Sequence, residues 1–136
     1  MNKVKQYIES QEGDFFTKSN AVLDTEISEA EHTLGFTFDL AYGDYVSSFG
    51  IIAYESVELL GLGVPKDSYL NVCQATIDVR DTLENYPDNS VVLETIGEKN
   101  WVVYTMHSGV FQLSPSGLSL IDSDLENFLL TRLVEA

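Results

Sequence analysis

Residues able to do chemistry are sparse in this chain, and their spacing is uninformative for catalysis. Nucleophilic catalysis needs an activated Ser, Thr or Cys with a base placed beside it. The only imidazoles are His32 and His107, and the only thiol is Cys73. His32 lies in an acidic helical stretch and His107 in a turn, so both read as solvated. Cys73 falls at an apolar helical position and reads as a buried structural thiol. No G-x-S-x-G elbow is present.

Carboxylates are plentiful: 22 acids stand against 7 bases, a formal net charge of −15. Glycosidases use a carboxylate pair, but among 22 acids pairs arise by chance. Asp122-Ser123-Asp124-Leu125-Glu126 superficially suggests a calcium loop. It lacks the glycine and spacing of an EF-hand, and helix capping explains it better. Asp78, Asp81 and Glu84 share one helix face without a histidine, which argues against a transition-metal site. Gly61-Leu62-Gly63 follows a strand, but no G-x-x-x-x-G-K pattern continues it, so it reads as a turn. No catalytic residue, cofactor or metal ligand is expected.

What remains is electrostatic. Residues 19–65 hold eight carboxylates and no Lys or Arg. So negative a surface repels phosphate backbones and anionic lipid, and it attracts a basic partner. Glu29, Asp44, Glu55 and Glu58 are the expected partner contacts, with Asp78 and Asp81 as an alternative patch. The bland alternative is acidity that only aids solubility. A lone cysteine excludes an internal disulfide. The first residues lack an apolar core, so no secretory signal is read there. No run is long enough to span a membrane. A cytoplasmic location is expected.

The elements that must position these carboxylates follow from periodicity. Val4, Tyr7, Ile8 and Gln11 have helical spacing, so a helix is expected over 2–12, ended by Gly13. Phe15 and Phe16, in a loop over 14–24, should plug the core beneath it. Ser28 and Glu31 form a capping box for a second helix whose Ile27, Ala30 and Leu34 face inward. Gly35 suits its left-handed end. Phe36 and Phe38 form an extended link. Asp39 then caps a third helix with Tyr42, Tyr45, Val46 and Phe49 inward, Asp44 outward and Gly50 at its end. Gly43 inside it costs about 1 kcal/mol relative to Ala.

From residue 51 the period shifts to two: strands are expected over 51–54 and 57–62, joined at Glu55-Ser56. Tyr69, Val72, Cys73, Thr76, Val79, Leu83 and Tyr86 mark the apolar face of a further helix. Strands over 91–96, 101–106, 110–113 and 118–121, separated by turn residues, make an antiparallel meander with Trp101 in the core. Ser123 and Glu126 cap a last helix with Leu125, Phe128, Leu129 and Leu133 inward. The class is α+β, a single domain over 1–136 with an antiparallel or mixed sheet and helices packed against it.

The stretch over 24–63 resembles the SUKH superfamily, through Ile27, Ala30-Glu31, Leu34-Gly35, Phe38, Tyr42, Phe49-Gly50 and Leu60-Gly61. Members include yeast cell-wall-assembly regulators and many bacterial immunity proteins for polymorphic toxins. Relatives usually carry Pro where this chain has Asp39, a residue that can still cap the helix. The resemblance implies a central sheet with flanking helices and no catalytic motif. For a bacterial member it implies binding and neutralising a cognate toxin, often a nuclease. A basic toxin domain is therefore the expected partner, and a regulatory scaffold is the alternative.

Overall fold

α3 (Leu40–Phe49) places one full apolar stripe in the core. Its Tyr42, Tyr45, Val46 and Phe49 are all buried, as their helical spacing requires. The computed structural model describes residues 1–19 and 21–136; residue 20, in the loop expected over 14–24, lies outside them. α3 starts at Asp39, whose carboxylate accepts from the Tyr42 N–H at 2.9 Å, and ends at Gly50. The Tyr45 hydroxyl reaches across to the Leu59 and Leu60 carbonyls at 3.2 and 2.9 Å, so a buried polar group is satisfied while it ties helix to hairpin.

Before α3 come α1 (Asn2–Ser10), the two-residue strand β1 (Phe16–Thr17) and α2 (Asp24–Leu34). The helix expected over 2–12 stops two residues early, and the loop after it contains a strand. That strand reverses the expectation for Phe16. Pairing Phe16 with Ala53 turns its ring outward, leaving it 52% exposed. Phe15 does go inward, stacked on Tyr54 at 3.8 Å.

α2 begins one turn before the expected Ser28 cap. Asp24 and Glu26 occupy its first turn, where the helix dipole favours negative charge. Ser28 is thus interior to the helix and exposed, and Glu31 accepts from the Phe38 N–H at 2.7 Å instead of closing a box. Gly35 ends α2 at φ 88, as expected of a left-handed cap. The Leu34 carbonyl then receives a hydrogen bond from Arg80 at 3.0 Å.

β2 (Ile52–Tyr54) and β3 (Val57–Leu59) pair antiparallel, with β1 on the far side of β2. The chain then threads Gly61 past Gly50. A Cβ on Gly61 would sit 1.6 Å from the Gly50 carbonyl oxygen, so only glycine fits. α4 (Val72–Thr82) is shorter than the apolar pattern suggests, because Asn71 caps it by accepting from the Cys73 N–H at 2.9 Å. Tyr69 precedes that cap and is 71% exposed, not inward. Val72, Thr76, Val79 and Leu83 do form the buried face.

The meander is as expected: β4 (Ser90–Gly97), β5 (Asn100–Thr105), β6 (Gly109–Ser114) and β7 (Gly117–Asp122) pair antiparallel in that order. α5 (Leu125–Val134) follows, capped by Asp124, whose carboxylate accepts from the Glu126 N–H. The expected cap at Ser123 is off by one residue. Leu125, Phe128, Leu129 and Leu133 are buried. The single sheet expected from sequence is two sheets, β1-β2-β3 and β4-β5-β6-β7, linked where the Leu60 N–H donates to the Leu93 carbonyl at 2.8 Å. α4 packs on β4, α5 on β6 and β7, α1 on α5, and α2 on α4.

One ion pair and one carboxylate hub reinforce these contacts. Arg132 of α5 meets the buried Glu94 of β4 through two hydrogen bonds, 3.1 and 2.8 Å. Asp39, 8% exposed, accepts from the Tyr104 hydroxyl and, at 2.8 Å, from the His107 N–H as well as capping α3.

Candidate functional site

The carboxylates of the acidic stretch divide into those with structural partners and those facing solvent. Glu26 accepts from the Gly63 N–H at 2.8 Å, Glu31 from Phe38, and Asp39 is the buried hub. Asp44 is on the outer face of α3 as expected, but its carboxylate lies 2.6 Å from the amino group of Met1 and accepts from Ser48 at 3.1 Å. It is held by local partners and does not join the other candidates. Glu55 is exposed at the β2–β3 turn, with φ 54, and makes no ion pair among the described residues.

Glu29, Glu58 and Asp78 are drawn onto one surface by the loop before α4. Lys66 of that loop is 3.8 Å from Glu29, a pair so exposed that it adds little stability. Tyr69 donates its hydroxyl to Glu58, which projects from the outer face of β3. This bond pushes the Tyr69 hydroxyl pKa upward, so the proton stays on tyrosine. Asp78 accepts from Gln74 at 2.8 Å. Asp67, Tyr69, Gln74, Asp78 and Thr95 line a groove of about 340 Å³. Gln74 also lines a narrower cleft of about 140 Å³ between α2 and α4, with Glu26, Glu29, Lys66 and Cys73. Asp81 is exposed one turn along α4 from Asp78. Members of the two patches that the sequence leaves as alternatives, Glu29 and Glu58 from one and Asp78 from the other, therefore share one acidic face, while Asp44 is held elsewhere and no contact joins Glu55 or Asp81 to it among the described residues.

Sequence reasoning missed Asp67, Tyr69 and Phe16. Asn71 was the available signal for Tyr69: a good N-cap at that position puts Tyr69 outside the helix. Phe16 had no local signal, because its direction is set by pairing with Ala53, far along the chain. Ala53 is also opposite Glu58, so Phe16, Ala53 and Glu58 stand on one outer sheet face with Lys18 over the Phe16 ring at 5.2 Å. An exposed tyrosine beside carboxylates can stack on and pair with a guanidinium or ammonium group.

The candidate catalytic groups are apart. His32 is exposed on α2, and His107 is in the β5–β6 turn at φ 64, with its backbone held by Asp39. Cys73 is half-buried, not fully buried as expected; burial and then nearby Glu26 raise its pKa, which keeps the thiol protonated at neutral pH. Among the described residues no group of three or more His, Cys, Asp or Glu side chains could hold a metal ion. Among them also, no helix is long and apolar enough to cross a membrane.

The family model described as SMI1-KNR4 cell-wall, a SUKH model, matches residues 1–116. The chain belongs to the SUKH family. A crystal structure of a protein from Pseudomonas syringae pv. tomato is similar in fold, with a TM-score of 0.69 over 88% of this chain and 86% of that one, at 14% identity. A search of curated protein sequences gave no match. The residues that carry the SUKH likeness, Leu34-Gly35, Phe38, Tyr42, Phe49-Gly50 and Leu60-Gly61, are core, cap and crossing positions. They build the SUKH scaffold, whereas the acidic face lies outside them, on α2, α4, the loop before α4 and the outer side of β3.

Proposed function

We propose that this SUKH protein is an immunity protein that binds and neutralises a cognate bacterial polymorphic toxin, and that it has no catalytic activity of its own. The toxin domain is basic, of the nuclease type, and the encounter takes place in the cytoplasm of the producing cell. The observation that carries the proposal is the open acidic groove, with Asp67, Asp78 and exposed Tyr69 on its walls and Glu58 bonded to Tyr69. A nuclease cleft is positively charged because it must hold a polyanion. A surface of opposite sign accelerates the encounter, and aromatic side chains among the charges serve as anchors. Glu29, Glu55 and Asp81 extend the negative field, and a single reduced thiol suits a reducing compartment.

Association with the toxin from the neighbouring gene should slow with added salt. Glu58→Lys with Asp78→Lys should slow it further, by about tenfold. Association rates insensitive to both salt and charge reversal would reject this surface. A second reading, a regulatory scaffold, is favoured by the cell-wall wording of the family description. Co-purification with a non-toxic partner, and no toxin gene nearby, would select it.

A further inference from the structure

From residue 100 to residue 121 the sequence contains no Asp, Glu, Lys or Arg, in a chain of net charge −15. Those residues build β5, β6 and all of β7 but its last residue, Asp122, so three of the four strands of this sheet are charge-free up to that point. β7 is its edge. β4, at the opposite edge, receives the Leu60 bond, and β1 is only two residues long. No other segment among the described residues hydrogen-bonds to residues 117–121 across the outer side of β7. Long open edges are usually blunted by Lys, Pro or a covering element. This one presents Leu118, Leu120 and Ile121, which are 46%, 60% and 45% exposed. By register, Leu118 is in line with Trp101 and Leu113, and Leu120 with Val103 and Phe111. The two leucines thus continue the apolar surface of the half-buried Trp101 and Phe111 out to the rim.

We propose that β7 is a self-association edge, on which a second copy of this chain adds its own β7 antiparallel about a two-fold axis at Ser119. Register selects the axis. Pro115 and Ser116 form a two-residue turn closed by the Ser114–Gly117 pair. In such a hairpin hydrogen-bonded pairs alternate with non-bonded ones, so the N–H and C=O groups of Leu118 and Leu120 point away from β6. Centring on Ser119 sets each Leu118 opposite the partner's Leu120, each pair exchanging both main-chain hydrogen bonds, and the two four-stranded sheets become one. Charge selects the occupant. Two copies at −15 each repel except where charge is absent, and this strip is such a place. The nearest acids on the strand, the two Asp122 side chains, would be about 20 Å apart, beyond the roughly 8 Å screening length in physiological salt.

Salt therefore has the opposite sign from its effect on a basic partner: screening strengthens the self-pair. Sedimentation velocity of the full chain should show a species of twice the monomer mass, growing with concentration and with salt. Leu118→Lys with Leu120→Lys should return the mass to that of the monomer at unchanged thermal stability, since both side chains are exposed. General relief of repulsion by the added lysines would instead increase association. In a Cys73→Ser background, Ser119→Cys should give a disulfide-linked dimer on mild oxidation. Non-bonded antiparallel pairs have Cα atoms about 4.5 Å apart, within the disulfide range. Gln112→Cys, one strand inward, should not crosslink. A monomer at all concentrations and salts, a dimer that survives both lysines, or no Ser119→Cys crosslink would overturn the proposal; in the first case the edge is free for a different chain's strand.

Discussion

Asp39→Asn isolates what the carboxylate hub contributes. The side chain is nearly isosteric, yet one oxygen becomes an NH₂ donor. Asp39 accepts from three donors: the Tyr42 N–H at 2.9 Å on one oxygen, and the His107 N–H at 2.8 Å and the Tyr104 hydroxyl on the other. Either amide orientation sets a donor against a backbone donor, Tyr42 in one case and His107 in the other. Only Tyr104 can rotate to accept. The lost charged hydrogen bond is worth about 1.5–3 kcal/mol and the stranded buried donor about 1–3 more. Burying a neutral amide costs less than burying a carboxylate, which offsets part of this. A net loss of about 2–4 kcal/mol is expected, or roughly 10 °C in Tm.

The pH dependence has a definite sign. Burial, the largest influence on the Asp39 carboxyl, raises its pKa, but the Tyr104 hydroxyl and the Tyr42 and His107 amides together outweigh it and leave the pKa lowered. A depressed folded-state pKa contributes stability that is present above the unfolded value, about 4 for Asp, and disappears as pH falls through the folded value. The gap between wild type and Asp39→Asn should therefore be largest near neutral pH and close on acidification below about 4. Urea denaturation of both proteins from neutral to acid pH measures it. A variant as stable as wild type at neutral pH, or a gap that persists in acid, would refute this account of the hub.

Two tyrosines in α3 should respond in opposite directions. The buried Tyr42 hydroxyl has no hydrogen-bond partner among the described residues, so Tyr42→Phe should leave stability unchanged or raise it by up to about 2 kcal/mol, whereas Tyr45→Phe, which removes the hydroxyl from the Leu59 and Leu60 carbonyls, should lose about 1–2 kcal/mol in the same denaturation assay. Gly61→Ala forces a Cβ against the Gly50 carbonyl and should cost more than about 3 kcal/mol, read as loss of the cooperative thermal transition or of soluble expression. Across the Glu94–Arg132 pair, Arg132→Leu leaves a carboxylate that is 4% exposed, and should cost about 3 kcal/mol; Glu94→Gln leaves an arginine that can turn to water and should cost less, and calorimetric melting temperatures in that order would confirm it.

Local chemistry made most of the scaffold legible. The α3 stripe, the Asp39 cap, the left-handed Gly35 and the four-strand meander each depend on residues a few positions apart, and all are found as read. Errors arose where two local signals competed. Ser28-to-Glu31 and Ser123-to-Glu126 both spell a capping box, but α2 gained a turn through Asp24 and Glu26, and Asp124 displaced Ser123. The helical spacing of Tyr69 with Val72 and Cys73 concealed a cap at Asn71.

The sequence by itself determined the SUKH family, the order of elements apart from β1, and the negative sign of the surface, because these depend on composition and near neighbours. Tertiary structure decided which carboxylates are available. Glu26 is bound to Gly63, Glu31 to Phe38 and Asp39 to His107, while Glu58, Asp67 and Asp78 gather around Tyr69. It also left β7, uncharged from Gly117 to Ile121, as an open edge. The physical reason is distance along the chain. A carboxylate's freedom depends on whether a backbone N–H from a remote segment is brought to it, and a strand's freedom on whether another segment lies beside it; spacing in sequence carries neither.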